Sequence, residues 1–368
     1  MFAVDQNGIV TRSDPAPGSH AANVLALVSP PSDFDSLSQE ARISSFLMPD
    51  LLTNAVAPST AKSYENQWRK FGKWCQSNSR TLLPSSAESV QLYLANVALR
   101  SLTLPPVLAA RAAIGFYNRL AHPDIINPTE TQAVRNVVQG IKRKFARVIC
   151  KKKPLTPDMV RGILEHLTRN SLNRMNLFEL RSAAFFCVLY FAAARFEEAS
   201  ELLTENIMVS VGGNLELLFI KSKTNQFRNA ISAFLTPHEG AGSLDPAKLV
   251  LFYRNELVHA GGSKFFFPSL TGARVPVKDS KISYNNARNL FLRWLREGLG
   301  MTDQEAKEFG LHSCRIGSAT NAAYGCTELE VQHHGRWKSR EQAASYAQRC
   351  EAEFAKVPSI LLEQVLTM

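Results

Sequence analysis

Residues 183–194 are apolar without interruption, and the residue that follows them is Arg195. The run is far short of the ~20 residues that cross a bilayer, so it is read as a helix buried in a protein core, and no membrane span is expected. A cation directly behind such a helix has to emerge at its end. The length of 368 residues suits two domains of ordinary size. At 45% hydrophobic and 20% charged residues, the composition excludes wholesale disorder. Six cysteines without a Cys-x-x-Cys pair provide neither a disulfide framework nor a zinc-ribbon spacing. The N-terminus lacks the basic-then-apolar layout of a signal peptide. Together these point to a reducing, intracellular compartment: the nucleus in a eukaryotic source, the cytoplasm or nucleoid otherwise.

The net charge of +10 is unevenly placed: residues 1–53 carry −4, residues 54–153 carry +12 and residues 154–368 carry +2. Nearly all the excess therefore sits in one hundred-residue block, as on a surface that lies along phosphates. Lys142, Arg143, Lys144, Arg147, Lys151, Lys152 and Lys153 are the densest cluster in it and the candidate DNA-binding residues. A solvated basic face without a partner would use the same residues.

Residues 1–53 are rich in Ser, Pro, Asp and Ala without a sustained period and are expected to form a disordered arm. Beyond Pro58-Ser59-Thr60, the residues Tyr64, Trp68, Phe71, Trp74 and Cys75 recur at helical spacing. Further helices are expected at 90–97, 107–120 and 131–149, making residues 54–150 a helical domain. Lys151-Lys152-Lys153-Pro154 is a linker candidate, and Thr156-Pro157-Asp158 then supplies a helix cap, a first-turn proline and an acid. Within residues 151–368, the β-like runs 215–220 and 230–235 are expected to form a hairpin. Beyond Pro268 the chain returns to helical periodicity, ending in an apolar tail helix within 351–368. The fold class is mainly α with a small β-sheet, α+β.

No phosphate-binding glycine loop, dinucleotide fingerprint, His-Glu-x-x-His or Gly-x-Ser-x-Gly occurs, and His333, His334 and Cys326 lack a second well-spaced pair, so neither cofactor nor metal is expected. What remains is a set of cationic and polar residues. His312 and Arg315 stand one helical turn apart, Trp337 follows Gly335-Arg336, and Tyr346 comes nine positions after Trp337. Upstream, Arg195 is followed three residues later by Glu198, and Lys223 lies between the two β-like runs. Each alone has an ordinary reading, as a cap, an ion-pair partner, a turn lysine or a packing residue.

Taken in order, the set resembles the tyrosine recombinase (phage integrase) family, whose pattern is Arg, a hairpin Lys, His-x-x-Arg, His or Trp, and a nucleophilic Tyr. The resemblance spans roughly residues 60–360. Trp in place of the second His is similar to the phage recombinase Cre and to recombinases of eukaryotic mobile elements that share Gly-Arg-Trp. Ile316 and Ala193-Ala194 depart from the common pattern, and Lys221 competes with Lys223 for the lysine position. The family implies a helical DNA-binding domain followed by a catalytic domain, with Arg195, Glu198, Lys223, His312, Arg315, Trp337 and Tyr346 as the site. It also implies double-stranded DNA as partner and a homotetramer on two DNA sites.

The chemistry suits these residue types. Phosphodiester transfer builds negative charge on phosphate oxygens, which paired guanidinium forks are shaped to hold. A phenol with an ordinary pKa of about 10 needs such a positive field, or a base, to become a nucleophile. The implied activity is site-specific recombination through a 3′-phosphotyrosine, with Lys223 as acid to the departing 5′ oxygen. A type IB topoisomerase-like enzyme and a DNA-binding protein with a vestigial site are the other readings.

Overall fold

The computed structural model describes residues 2–4, 10–12, 15–28, 33–145, 152–220 and 230–347. The chain divides into two compact units, Met1–Ile149 and Cys150–Met368.

In the first unit, β1 (Phe2–Val4) pairs antiparallel with β2 (Val10–Arg12), and the helices are α1 (His20–Leu27), α2 (Gln39–Thr53), α3 (Pro58–Ser77), α4 (Ala87–Ser101), α5 (Leu104–Ala121) and α6 (Gln132–Lys144). The aromatic periodicity of α3 has its expected consequence: Trp68, Phe71 and Cys75 face a core shared with Tyr93, Leu94, Ile114 and Tyr117. The expected disordered arm differs from what is observed. Ser19 and Ser38 cap α1 and α2 through their side chains, Val24 is fully buried, and a 2.7 Å hydrogen bond joins His20 Nδ1 to the Tyr117 hydroxyl. These helices escape a periodicity search because α1 buries only His20 and Val24, and α2 only Pro49.

The second unit is built around α8 (Leu177–Phe191), in which every residue from Leu180 to Tyr190 is buried. A capping box between Asn176 and Glu179 starts it. Around it stand α7 (Pro157–Leu167), the short α9 (Phe196–Ser200) that follows it, and α10 (Pro246–His259). Between α9 and α10, β4 (Leu215–Phe219) and β5 (Ile231–Leu235) form the expected antiparallel pair, with Leu217 opposite Ala233. Their alternating burial is that of a half-covered sheet, and β3 (Ile207–Val209) extends it on the β4 edge. The connection 221–229, with Lys221 and Lys223, lies outside the described residues, as do Arg147, Lys151 and the tail helix expected within 351–368.

Beyond Pro268 the chain does not turn helical at once. A second hairpin intervenes, β6 (Pro268–Leu270) with β7 (Pro276–Lys281). Both strands begin with proline, which a strand tolerates at its first residue, and they are too short and polar to show alternation. Helices α11 (Tyr284–Leu299), α12 (Asp303–Ala306), α13 (His312–Ala322), α14 (Glu328–Gly335) and α15 (Arg340–Ala344) follow. Among the described residues, no helix is long and apolar enough to cross a membrane.

The segment before α7 runs against α13. Leu155 N–H donates to Ser313 O (3.4 Å), and Asn321 Nδ2 donates back to Leu155 O (3.1 Å). Gly317 permits this approach, because a β-carbon there would sit 2.6 Å from Leu155 O and 2.7 Å from its N. Gly317→Ala is therefore expected to destabilise the protein by about 1–3 kcal/mol despite the better helix propensity of alanine. Gly140→Ala, at an exposed position of α6 with open space around it, should instead stabilise by about 0.5–1 kcal/mol. Urea unfolding midpoints of the two variants check the opposite signs.

Candidate active site

The end of α8 dictates where Arg195 goes. Helix hydrogen bonding stops at Ala192, and Ala193 takes a left-handed conformation (φ +45°), which turns the chain sharply. Arg195 then sits at the N-cap of α9. Its backbone N–H donates to Glu198 Oε2 (3.0 Å) and its Nη1 to Glu198 Oε1 (2.5 Å). The two side chains, three residues apart, thus form an ion pair, with the carboxylate side chain 2% exposed.

His312 opens α13 and Arg315 lies one turn further on. Arg315 is fully buried, and its two terminal nitrogens donate to the carbonyls of Ala193 and Gly335, which fixes the plane of the guanidinium. Nη1 lies 3.8 Å from Glu198 Oε2. The indole of Trp337 covers the guanidinium, with the carbon Cζ 4.4 Å from the ring centroid. Tyr346, just past α15, closes the group. Its ring centroid lies 5.5 Å from Arg315 Cζ, 5.2 Å from the His312 ring and 5.0 Å from the Trp337 ring. Tyr346, His312 and Arg195 line one cleft of about 550 Å³ together with Phe196, Tyr284 and Gln342.

The turn after α14 explains how Trp337 reaches this place. Arg336 N–H donates to His333 O (3.0 Å) and Trp337 N–H to Gln332 O (3.0 Å), the paired bonds of a Schellman motif, with Arg336 left-handed at φ +57°. The indole folds back over Gly335, leaving no room there for a β-carbon.

Sequence reasoning left Arg336 without a role. Its Nη2 donates to Glu198 Oε2 (3.0 Å) and to Ala193 O (3.3 Å), and its Nη1 to Ala192 O (2.8 Å) and His334 O (3.0 Å). Only its position beside Gly335 and Trp337 could have singled it out. Glu198 therefore faces three guanidinium groups. Burial would push its carboxyl up, yet the charges of Arg336, Arg315 and Arg195 hold it below the usual carboxylate range. Burial, reinforced by Arg195, pushes Arg315 down. His334 is driven down to about 4 by burial and by Arg336 and Arg315, so it is neutral at pH 7; its Nε2 lies 3.4 Å from Ser318 Oγ.

Two buried donors, Arg315 Nε and Trp337 Nε1, have no hydrogen-bond partner among the described residues. Unpaired buried N–H groups of this kind cost about 1–3 kcal/mol each, and an oxygen-rich anion would satisfy them. Among the described residues, no group of three or more His, Cys, Asp or Glu side chains is arranged to hold a metal ion.

The basic cluster divides. Lys142, Arg143 and Lys144 project from the last turn of α6 and are exposed. Lys152 and Lys153 are instead engaged within the second unit: Lys152 Nζ donates to Lys307 O, and Lys153 Nζ pairs with Glu308 (2.5 Å).

No family model matches the chain. A curated relative, an integrase/recombinase xerD homolog from Selenomonas ruminantium, is 23% identical over 307 residues, covering 81% of this chain and 84% of the relative. Among solved structures, the XerH site-specific recombinase bound to a palindromic difH substrate matches with a TM-score of 0.55 and 14% identity, over 93% of this chain and 94% of that one. Lambda integrase (residues 75–356), as a dimer bound to a COC′ core site, matches with a TM-score of 0.51 and 16% identity, over 85% and 96%. These likenesses give the fold, mainly helical with small antiparallel sheets, and the curated relative follows the chain through both units. The chain is thus similar in sequence to an integrase/recombinase and shares the fold of site-specific recombinases.

Proposed function

We propose that this protein is a site-specific DNA recombinase that cuts and rejoins duplex DNA through a covalent 3′-phosphotyrosine on Tyr346. The observation that carries this reading is the convergence of Arg315, His312 and Trp337 on the Tyr346 ring, within 5.0–5.5 Å, with Arg195 on the wall of the same cleft. Solved proteins of the same fold are bound to DNA substrates, which supports duplex DNA as the partner.

In this reading the scissile phosphate enters the cleft, and Arg195 and Arg315 hold its nonbridging oxygens. His312 donates to the same phosphate, and the orphaned Trp337 indole N–H finds an oxygen acceptor there. The positive field favours loss of the Tyr346 proton to water, the phenolate oxygen bonds to phosphorus, and the bond from phosphorus to the 5′ oxygen breaks. Lys223, within the connection between β4 and β5, supplies the proton to the departing oxygen. A 5′-hydroxyl of a second duplex reverses the step without ATP, because the phosphotyrosine conserves the bond. Preorganised cations supply most of the stabilisation, since the Arg315 plane is fixed before substrate arrives. Glu198 orients Arg195 rather than touching substrate. The exposed end of α6 follows the phosphate backbone, and four copies assemble on two sites.

Incubation with nicked suicide duplexes tests the assignment. Tyr346→Phe should abolish the SDS-resistant protein–DNA adduct while duplex binding persists; an adduct that survives would place the nucleophile elsewhere. Arg195→Ala and Arg315→Lys should each slow cleavage by about 10²–10³-fold while weakening binding far less. Equal losses of cleavage and binding would reassign them to docking. Replacing Lys142, Arg143 and Lys144 together by alanine should flatten the dependence of log affinity on log salt by roughly 2–3, at about 0.9 for each phosphate that is no longer neutralised. An unchanged slope would remove α6 from the interface. Exchange between two labelled duplexes, as opposed to relaxation of supercoils alone, separates recombination from a topoisomerase activity.

A further inference from the structure

Arg336 occupies a position that its backbone disfavours. At φ +57° and ψ +40°, the residue closing the α14 turn is left-handed, where glycine or asparagine avoids a cost of about 1–2 kcal/mol. A strained residue that persists at the edge of a site suggests that its side chain is needed. That side chain is 5% exposed, stacks over the Phe219 ring at 4.8 Å, and reaches the turn joining α8 to α9. There it donates to the carbonyls of Ala192 and Ala193 and to Glu198.

Glu198 Oε2 is the atom on which the arrangement hinges. It accepts from Arg195 N–H at 3.0 Å and from Arg336 Nη2 at 3.0 Å, while Arg315 Nη1 waits at 3.8 Å. If Arg336 were removed, the buried carboxylate would keep its charge, and Oε2 would lose the nearer of the two guanidiniums that face it, Arg195 being engaged at Oε1. The next cation within reach is Arg315, the group that has to face phosphate. Three guanidiniums against one carboxylate leave two net positive charges at the cleft; without Arg336 one remains.

We infer that Arg336 is a positioning residue for phosphoryl transfer, which occupies Glu198 and clamps the Ala192–Ala193 turn so that Arg195 and Arg315 stay available to the scissile phosphate. The inference rests on the proposed recombinase function. Arg336 itself stays behind the α8–α9 turn and does not contact DNA. Its action is electrostatic and local, and it couples the helix that delivers Trp337 to the helix end that delivers Arg195.

The test uses the full chain and a pool of nicked suicide duplexes taken from DNA flanking its gene. Arg336→Asn suits the left-handed turn, so the variant keeps the backbone and loses the guanidinium. Cleavage at saturating DNA should fall about 10²-fold, as for a small displacement of catalytic groups, with affinity within about threefold of the wild type. Glu198→Gln combined with Arg336→Asn removes the carboxylate that would otherwise draw Arg315 away. The double variant should cleave at least tenfold faster than Arg336→Asn alone, a rescue that simple loss of packing would not allow. Multiplying losses in the double variant, or a loss of affinity as large as that of cleavage, would overturn the inference. A wild-type chain without a Tyr346-dependent adduct would overturn the proposed function and this inference with it. Wild-type adduct with multiplying losses overturns this inference alone.

Discussion

A single buried carboxylate organises the second unit. Glu198 is almost wholly removed from water, and a charge in that position needs compensation of several kcal/mol. Arg195, Arg315 and Arg336 overcompensate it, each arriving from a different element: the end of α8, the first turn of α13 and the turn after α14. The carboxylate therefore acts as a template on which cations of like sign are held close together. Without it three like charges would stand uncompensated; with it, a positive field stands ready beside Tyr346.

The scaffold behind this cluster is arranged to resist movement. Helix α8 is enclosed on every side, so its end cannot shift without disturbing the whole core, and Ala193 at that end receives hydrogen bonds from both Arg315 and Arg336. Helix α13 is pinned two residues beyond Arg315 by the close approach of Leu155 to Gly317. Left-handed Ala193 and Arg336 are joined by the hydrogen bond from Arg336 Nη2 to Ala193 O, and the same nitrogen pairs with Glu198. Phosphate chemistry benefits from such rigidity, because donors already oriented need not reorganise as charge develops.

Much of this was legible from spacing alone. The apolar run before Arg195, the one-turn separation of His312 and Arg315, and the nine positions from Trp337 to Tyr346 are local properties, and local geometry follows from them. The hairpin of β4 and β5 was likewise visible, since alternation survives wherever one face of a strand is covered. The first two helices were not: α1 is held by Tyr117, far along the chain, and each of the two buries too few residues to show a period. Nor was the hairpin of β6 and β7, whose polar residues carry no periodic signal.

By itself the sequence determined the order of the chemical groups, the two-part helical plan and the concentration of positive charge, because each is written in residue identity and short-range period. The tertiary structure alone decided which charges meet. That Arg315 reaches the Ala193 carbonyl and that Arg336 pairs with Glu198 both depend on segments more than a hundred residues apart being brought within hydrogen-bonding distance. Coulombic and hydrogen-bonding partners are chosen by distance in space, and distance in space is what a linear pattern does not encode.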